Sequence, residues 1–174
     1  FGYESPHYGC ICPQSMFRTS QHTHAGMMIA NDDHQVLRFY DEVLGLQRWF
    51  DGERPYAQAT GSRQIFGLEP DETHWMVDFD DPRSGHSLDA RRSGKLKVVR
   101  FAASSQLAGK LDRSRPGCLG LSLYTWRTND LEGLWKLVQA SGATQVTDVL
   151  ADEFGTRAFS FVAPDGYSWT LLQD

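Results

Sequence analysis

One supersecondary unit occurs twice in this chain, and the repeat constrains the fold more than any other feature. In the first copy, residues 24–46 (HAGMMIANDDHQVLRFYDEVLGL), the short, mostly apolar stretch 24–30 reads as a strand. Asn31, Asp32 and Asp33 supply N-cap chemistry, because a short side-chain oxygen accepts from the first free N–H groups of a helix. Val36, Leu37, Tyr40, Val43 and Leu44 then recur at helical spacing until Gly45 ends the run, which predicts a helix over 32–44. A weaker copy lies at 117–143 (GCLGLSLYTWRTNDLEGLWKLVQASGA). It repeats the strand, the cap at Asn129 and Asp130, an apolar stripe of Leu131, Leu134, Leu137 and Val138, and a stop at Gly142, predicting a helix over 130–141. Two copies of one unit predict a pseudo-symmetric α+β fold with its working site between the halves.

The remaining segments read mainly as strands. Residues 47–51 (QRWFD) form a short aromatic strand ended by Gly52 and Pro55. Residues 74–79 alternate Trp75, Val77 and Phe79 with His74, Met76 and Asp78, so one face packs and the other meets water or a cavity. A polar loop broken by Pro82, Gly85 and Gly94 leads to a strand at 95–102. Residues 158–162 and 167–172 are the closing strands, joined by Ala163-Pro164-Asp165-Gly166, whose Pro and Gly positions suit a type I turn. The expected organisation is an N-terminal arm, or the remnant of a preceding module, at 1–21. A first module at 22–102, a charged linker at 103–116 and a second module at 117–174 follow it.

Composition narrows the function classes. A chain of 174 residues with 40% hydrophobic residues can bury a full core. Its net charge of −5, with no basic run beyond Arg91-Arg92, argues against a nucleic-acid partner, because neutralising phosphates takes clustered cations. No apolar run approaches the ~18 residues of a membrane span, and no basic-then-apolar leader is present. Cys10, Cys12 and Cys118 leave an odd thiol in any disulfide scheme, which with no export signal favours a reducing, cytoplasmic setting. The Cys10-Ile11-Cys12 spacing has no second ligand pair and reads as incidental. The expected partner is a small organic molecule, with no nucleic acid and no membrane.

The order of His24, Phe39-Tyr40, Val43-Leu44-Gly45-Leu46 and finally Ala163-Pro164-Asp165-Gly166-Tyr167 resembles the glyoxalase, bleomycin-resistance and extradiol-dioxygenase superfamily, the vicinal oxygen chelate proteins. The resemblance covers roughly residues 22–173. It implies two βαβββ modules forming curved sheets around a cup, with the helices on the convex side. Pairing of modules, as a homodimer or within a longer four-module chain, is also implied, because such sheets leave strand edges to be covered.

In metal-dependent members of that superfamily the ligands lie at the start of each module's first strand and in the middle of its last. His24 matches the first position. The closing position of the first module is Asp78 when counted by length, or Lys97 when KLKVVRF is the fourth strand, and a protonated lysine cannot ligate. Setting Gly26 over Gly120 puts Cys118 at the second opening position, and reading on from Pro164-Asp165-Gly166 puts Thr170 at the second closing one. A thiol and a hydroxyl suit a hard divalent ion poorly, so His24 and Asp78 form an incomplete metal set. The plainer reading of His24 is a scaffolding or pocket polar group.

Two function classes remain. One is a bleomycin-resistance-type domain that binds a small organic molecule in the cup with no cofactor. The other uses a divalent metal, as a lyase, isomerase or dioxygenase whose remaining ligands come from a missing domain or partner chain. Strand parity puts His24, Cys118, Ser122, Tyr124 and Thr170 on the ligand face, with Ala25, Met27, Ile29, Leu119, Leu121 and Leu123 under the helices. Tyr124, Trp126, Phe161, Tyr167 and Trp169 read either as an aromatic pocket lining or as ordinary sheet packing.

Overall fold

The structure is a computed structural model and describes residues 24–29, 34–55, 63–64, 67–80, 95–101, 116–118 and 123–174. The expected N-terminal arm, Cys10 and Cys12, and all but the last residue of the expected linker lie outside the described residues. The chain groups into two compact units, one holding the strands up to residue 107 and the other holding residues 32–45 together with 108–174.

The first unit contains β1 (His24–Met28), β2 (Gln47–Pro55), β3 (Thr73–Asp80) and β4 (Lys95–Phe101). They form one mixed sheet in the order β1-β4-β3-β2, in which β1 runs parallel to β4 and the other pairs are antiparallel. Residues paired in register point to the same side of a sheet, so the register assigns the faces. Met27, Val98 and Val77 lie in one row, and Leu96 and Phe79 in the next. All five are almost completely buried, and with Ile29 and Trp75 they make this face the unit's core. Its outer edge is closed by β2, where Asp51 accepts from the Trp75 indole at 2.9 Å and the Arg48 guanidinium lies 5.5 Å from the Phe79 ring centre.

The second unit contains the first helical segment, β5 (Tyr124–Thr128), α1 (Leu131–Gln139), β6 (Leu150–Ala151), β7 (Arg157–Val162) and β8 (Ser168–Gln173). Its sheet has the order β5-β8-β7-β6, again with the first strand parallel to the last. Its packed face carries Tyr124, Phe159, Phe161, Trp169 and Leu171, all buried. The turn between β7 and β8 closes through Gly166 N–H donating to the Ala163 carbonyl at 2.8 Å.

α1 is capped as its sequence requires. The Asp130 carboxylate accepts from Gly133 N–H at 2.9 Å, and a Cβ at position 133 would stand 2.1 Å from that carboxylate. Glycine therefore leaves the cap room to form. The helix ends at Gln139, earlier than expected, because Ser141 turns its hydroxyl onto the Val138 carbonyl at 2.6 Å.

Three expectations need correction. The sheets do not curl around a cup: each is an open four-stranded sheet whose outermost strands, β1 and β2 or β5 and β6, do not pair with each other. The first helix is not α-helical either. A 3-10 turn at His34–Leu37 passes into a π turn at Phe39–Val43, closed by Leu44 N–H donating to the Phe39 carbonyl at 3.1 Å. Such widening of the turn lets two successive aromatic side chains, Phe39 and Tyr40, enter one apolar layer. Gly45 does end the segment, at φ 70°, a left-handed conformation that glycine takes without penalty. Finally, this segment is not grouped with the strands that flank it in sequence. It belongs to the second unit, where Phe39 meets Phe161 at 5.5 Å and Tyr40 meets Trp169 at 5.7 Å between ring centres.

Candidate functional site

The polar chemistry of the first unit lies on the sheet face opposite its core. The register aligns Gly26 on β1, Lys97 on β4, Asp78 on β3 and Phe50 on β2 as one row across the sheet. In the neighbouring row stand Met28, Val99, Met76 and Gly52. Asp78 is the one charged residue buried among the described residues, with its side chain 4% exposed, whereas the Lys97 side chain is 31% exposed. Their closest approach is 3.9 Å, from Lys97 Nζ to Asp78 Oδ1. The carboxylate thus lies beneath, and the ammonium reaches outward from it.

This arrangement resolves the ambiguity at the close of the first module. KLKVVRF is β4, the strand beside β1, so the closing candidate on the last strand is Lys97, its third residue. Asp78 belongs to the strand before it and serves the lysine as counter-ion. His24 opens β1 in register with Lys95, and its side chain lies outside what the structure describes.

In the second unit Thr170 lies in the middle of β8, and its hydroxyl shares a hydrogen bond with Ser160 Oγ at 2.7 Å. The register pairs Thr170 with Thr125 and Tyr124 with Trp169, so Tyr124 and Thr170 point to opposite faces. Strand parity had put them together because the strand was counted from Cys118. That residue sits in an exposed bend, and β5 begins only at Tyr124. Ser122 lies outside the described residues. Tyr124 packs against Trp169 at 5.1 Å and Tyr167 at 5.7 Å, and these three rings are buried together with Phe161.

One buried polar pair escaped the sequence reading. Tyr40, fully buried, donates its hydroxyl to Asp165 Oδ2 at 2.6 Å, while Asp165 Oδ1 accepts from Tyr167 N–H at 3.2 Å. Burial pushes the Asp165 carboxyl above the usual aspartate range, partly offset by these hydrogen bonds. Burial also raises Tyr40, helped by the adjacent Asp165 charge. Tyr124 is pushed up to about 12, chiefly by burial, with Tyr167 and Asp165 adding to it. Sequence had marked Tyr40 as part of an apolar stripe, Asp165 as a turn residue and both as residues of the family resemblance, without pairing them. The available signal was a hydroxyl-bearing ring within a stripe that buries completely, since a buried tyrosine needs an acceptor.

The comparisons with known proteins agree with this architecture. Residues 21–171 match the model of the Glyoxalase/Bleomycin resistance protein/Dioxygenase superfamily, and the chain belongs to that superfamily. Among solved structures it is similar to a glyoxalase family protein from Bacillus cereus at 17% identity, covering 88% of this chain and 93% of the other with a TM-score of 0.67. A glyoxalase family protein from Enterococcus faecalis is similar at 20% identity, 87% and 96% coverage and a TM-score of 0.55. The glyoxalase I of Leishmania major is similar at 16% identity, 88% and 86% coverage and a TM-score of 0.53. These likenesses are to the fold. A search of curated proteins gives no match.

A divalent metal is implied by part of this superfamily, so the donors at the corresponding strand positions decide whether one fits. The two closing positions hold an ammonium and a hydroxyl, and neither suits a hard cation. Among the described residues no three His, Cys, Asp or Glu side chains come together. The residues described at these positions do not fit the metal.

Proposed function

We propose that this chain binds a small organic molecule and does so without a divalent metal held by its own side chains. The observation that carries this reading is Lys97 on β4, ion-paired with Asp78 at 3.9 Å, where a metal-dependent relative places a ligand. A fixed cation at that point repels a metal ion and attracts the oxygen of an organic ligand. His24, which opens β1, remains a candidate contact of the ligand.

The working form is proposed to be a homodimer or part of a four-module chain, supported by the open outer strands of both sheets. The proposed setting is cytoplasmic, which suits the exposed free thiol of Cys118. Among the described residues no helix is long and apolar enough to cross a membrane.

The test is metal analysis of the purified protein combined with ligand-detected NMR against a small-molecule library. Binding with substoichiometric metal is the expected result. Stoichiometric Fe, Mn, Ni or Zn that is lost in His24→Ala would instead establish a metal-dependent lyase, isomerase or dioxygenase.

A further inference from the structure

We infer that the outer edge of the second sheet, at β6 and the turn that follows it, is a docking surface for an extended segment of another protein that alternates basic and apolar side chains. The inference goes beyond the small-molecule reading and leaves β1, β2 and β5 for the pairing of modules proposed above.

Exposed apolar side chains mark the surface. Leu150 on β6 is 66% exposed, and Phe154 in the turn is 86% exposed. The turn that carries Phe154 is ordered by its own hydrogen bonds. Asp152 Oδ1 accepts from Phe154 N–H at 2.9 Å and from Thr156 N–H at 2.8 Å. Gly155 N–H donates to the Asp152 carbonyl at 3.0 Å, and Asp152 N–H donates to the Thr156 carbonyl at 3.0 Å. Gly155 takes φ 81° to close the turn, a conformation open to glycine. An aromatic ring held in water by an ordered backbone is pre-organised as an anchor, because little further freedom is lost when a partner covers it.

The edge supplies the main-chain contacts. β6 pairs with β7 through Leu150 and Ala151 and is the last strand in its sheet order, so among the described residues no strand takes up its outer side. Asp152 turns its N–H inward to Thr156, and by alternation Ala151 presents its N–H and carbonyl outward, where an added strand pairs. Residues 145–156 contain no Lys, Arg or Pro, which commonly blunt such an edge.

Charge decides the occupant. Asp148, Asp152 and Glu153 are exposed at this edge, and the neighbouring Arg157 is already paired with Glu132. A second copy docked through the same edge would set these three carboxylates against their own copies, and like charges opposed across a strand pair are destabilising. A basic segment meets them with opposite charge, while its alternate apolar side chains fall beside Leu150 and Phe154.

The experiment uses the full chain labelled with nitrogen-15 and three acetylated hexapeptides, one alternating lysine and leucine, one alternating lysine and serine, and one alternating glutamate and leucine. The lysine–leucine peptide is expected to shift the amide signals of Leu150, Ala151 and Phe154 at a concentration where the other two leave them in place. Phe154→Ser, which removes a side chain the fold does not bury, weakens that binding about tenfold or more, and Glu153→Lys also weakens it. Equal binding of the lysine–serine peptide, or undiminished binding in Phe154→Ser, overturns the inference, and so does the absence of any shift at these amides. Shifts at the same amides that grow with protein concentration alone, and vanish in Phe154→Ser, would make the edge an interface between copies of this chain and overturn it too.

Discussion

The hydroxyl of Tyr40, on the first helical segment, donates to Asp165 Oδ2 at 2.6 Å, joining two residues 125 positions apart in the chain. Together with the Phe39–Phe161 and Tyr40–Trp169 ring contacts it fixes that segment to the second sheet. Tyr40→Phe keeps the ring and removes the donor, leaving a partly buried carboxylate less well solvated. A loss of ~1–3 kcal/mol is expected in urea unfolding. The sign with pH follows from the raised Asp165 pKa. The folded state holds this proton more tightly than the unfolded chain, so stability falls as pH rises from ~4 through the folded value. Removing the Tyr40 donor raises that pKa further, and the cost of Tyr40→Phe grows from pH 4 to pH 7. A cost independent of pH would show that Asp165 does not ionise against Tyr40.

At the alkaline end the tyrosines dominate. Tyr124 is pushed up to about 12 and Tyr40 also lies well above the ordinary tyrosine value. Above pH ~10 the unfolded chain gives up these protons while the folded protein keeps them, so stability decreases with rising pH. Urea midpoints at pH 8, 10 and 11 should fall steeply after pH 10. Tyr124→Phe, which retains the ring packing on Trp169, should make the fall shallower.

The cap of α1 gives a cleaner energetic test. Asp130→Ala removes the acceptor for Gly133 N–H and should cost ~1 kcal/mol. Gly133→Ala alone should gain little, because the added Cβ would displace the Asp130 carboxylate that stands 2.1 Å from its position. With Asp130 already replaced by alanine there is nothing to displace, and Gly133→Ala should recover ~0.8–1 kcal/mol of helix propensity. Chemical denaturation of the four proteins measures this coupling. A simple sum of the two single effects would place the Asp130 side chain elsewhere.

Local features of the fold were legible, and those set by distant partners were not. Asp130 as a cap, Gly45 as a stop and the alternation of Trp75, Val77 and Phe79 against Met76 and Asp78 follow from short-range chemistry. Membership of the superfamily was also readable, since its motifs stand in order along the chain. The attachment of the first helical segment to the second sheet was not, because Tyr40 and Asp165 find each other only in the folded chain. Face assignments failed where the strand start was misplaced. Counting from Cys118 put Tyr124 beside Thr170, whereas the register sets Tyr124 opposite Trp169. The same sensitivity left Asp78 and Lys97 as rival closing residues, and only the pairing of β4 with β1 chose Lys97.

That choice gives the Lys97–Asp78 pair a measurable energetic role independent of any ligand. Asp78 is 3% exposed, and a carboxylate so buried depends on compensating charge and hydrogen bonds. Lys97 supplies part of this from 3.9 Å, and because its side chain is 31% exposed, water screens the interaction. Lys97→Met should therefore cost ~1–2 kcal/mol, between the values for surface and fully buried pairs. Asp78→Asn in the Lys97→Met background removes the buried charge and should restore most of that loss. A double-mutant cycle by urea unfolding at pH 7 should give a coupling of ~1 kcal/mol. Strictly additive effects would mean that the two charges do not interact, and the orientation of Lys97 would then need another cause.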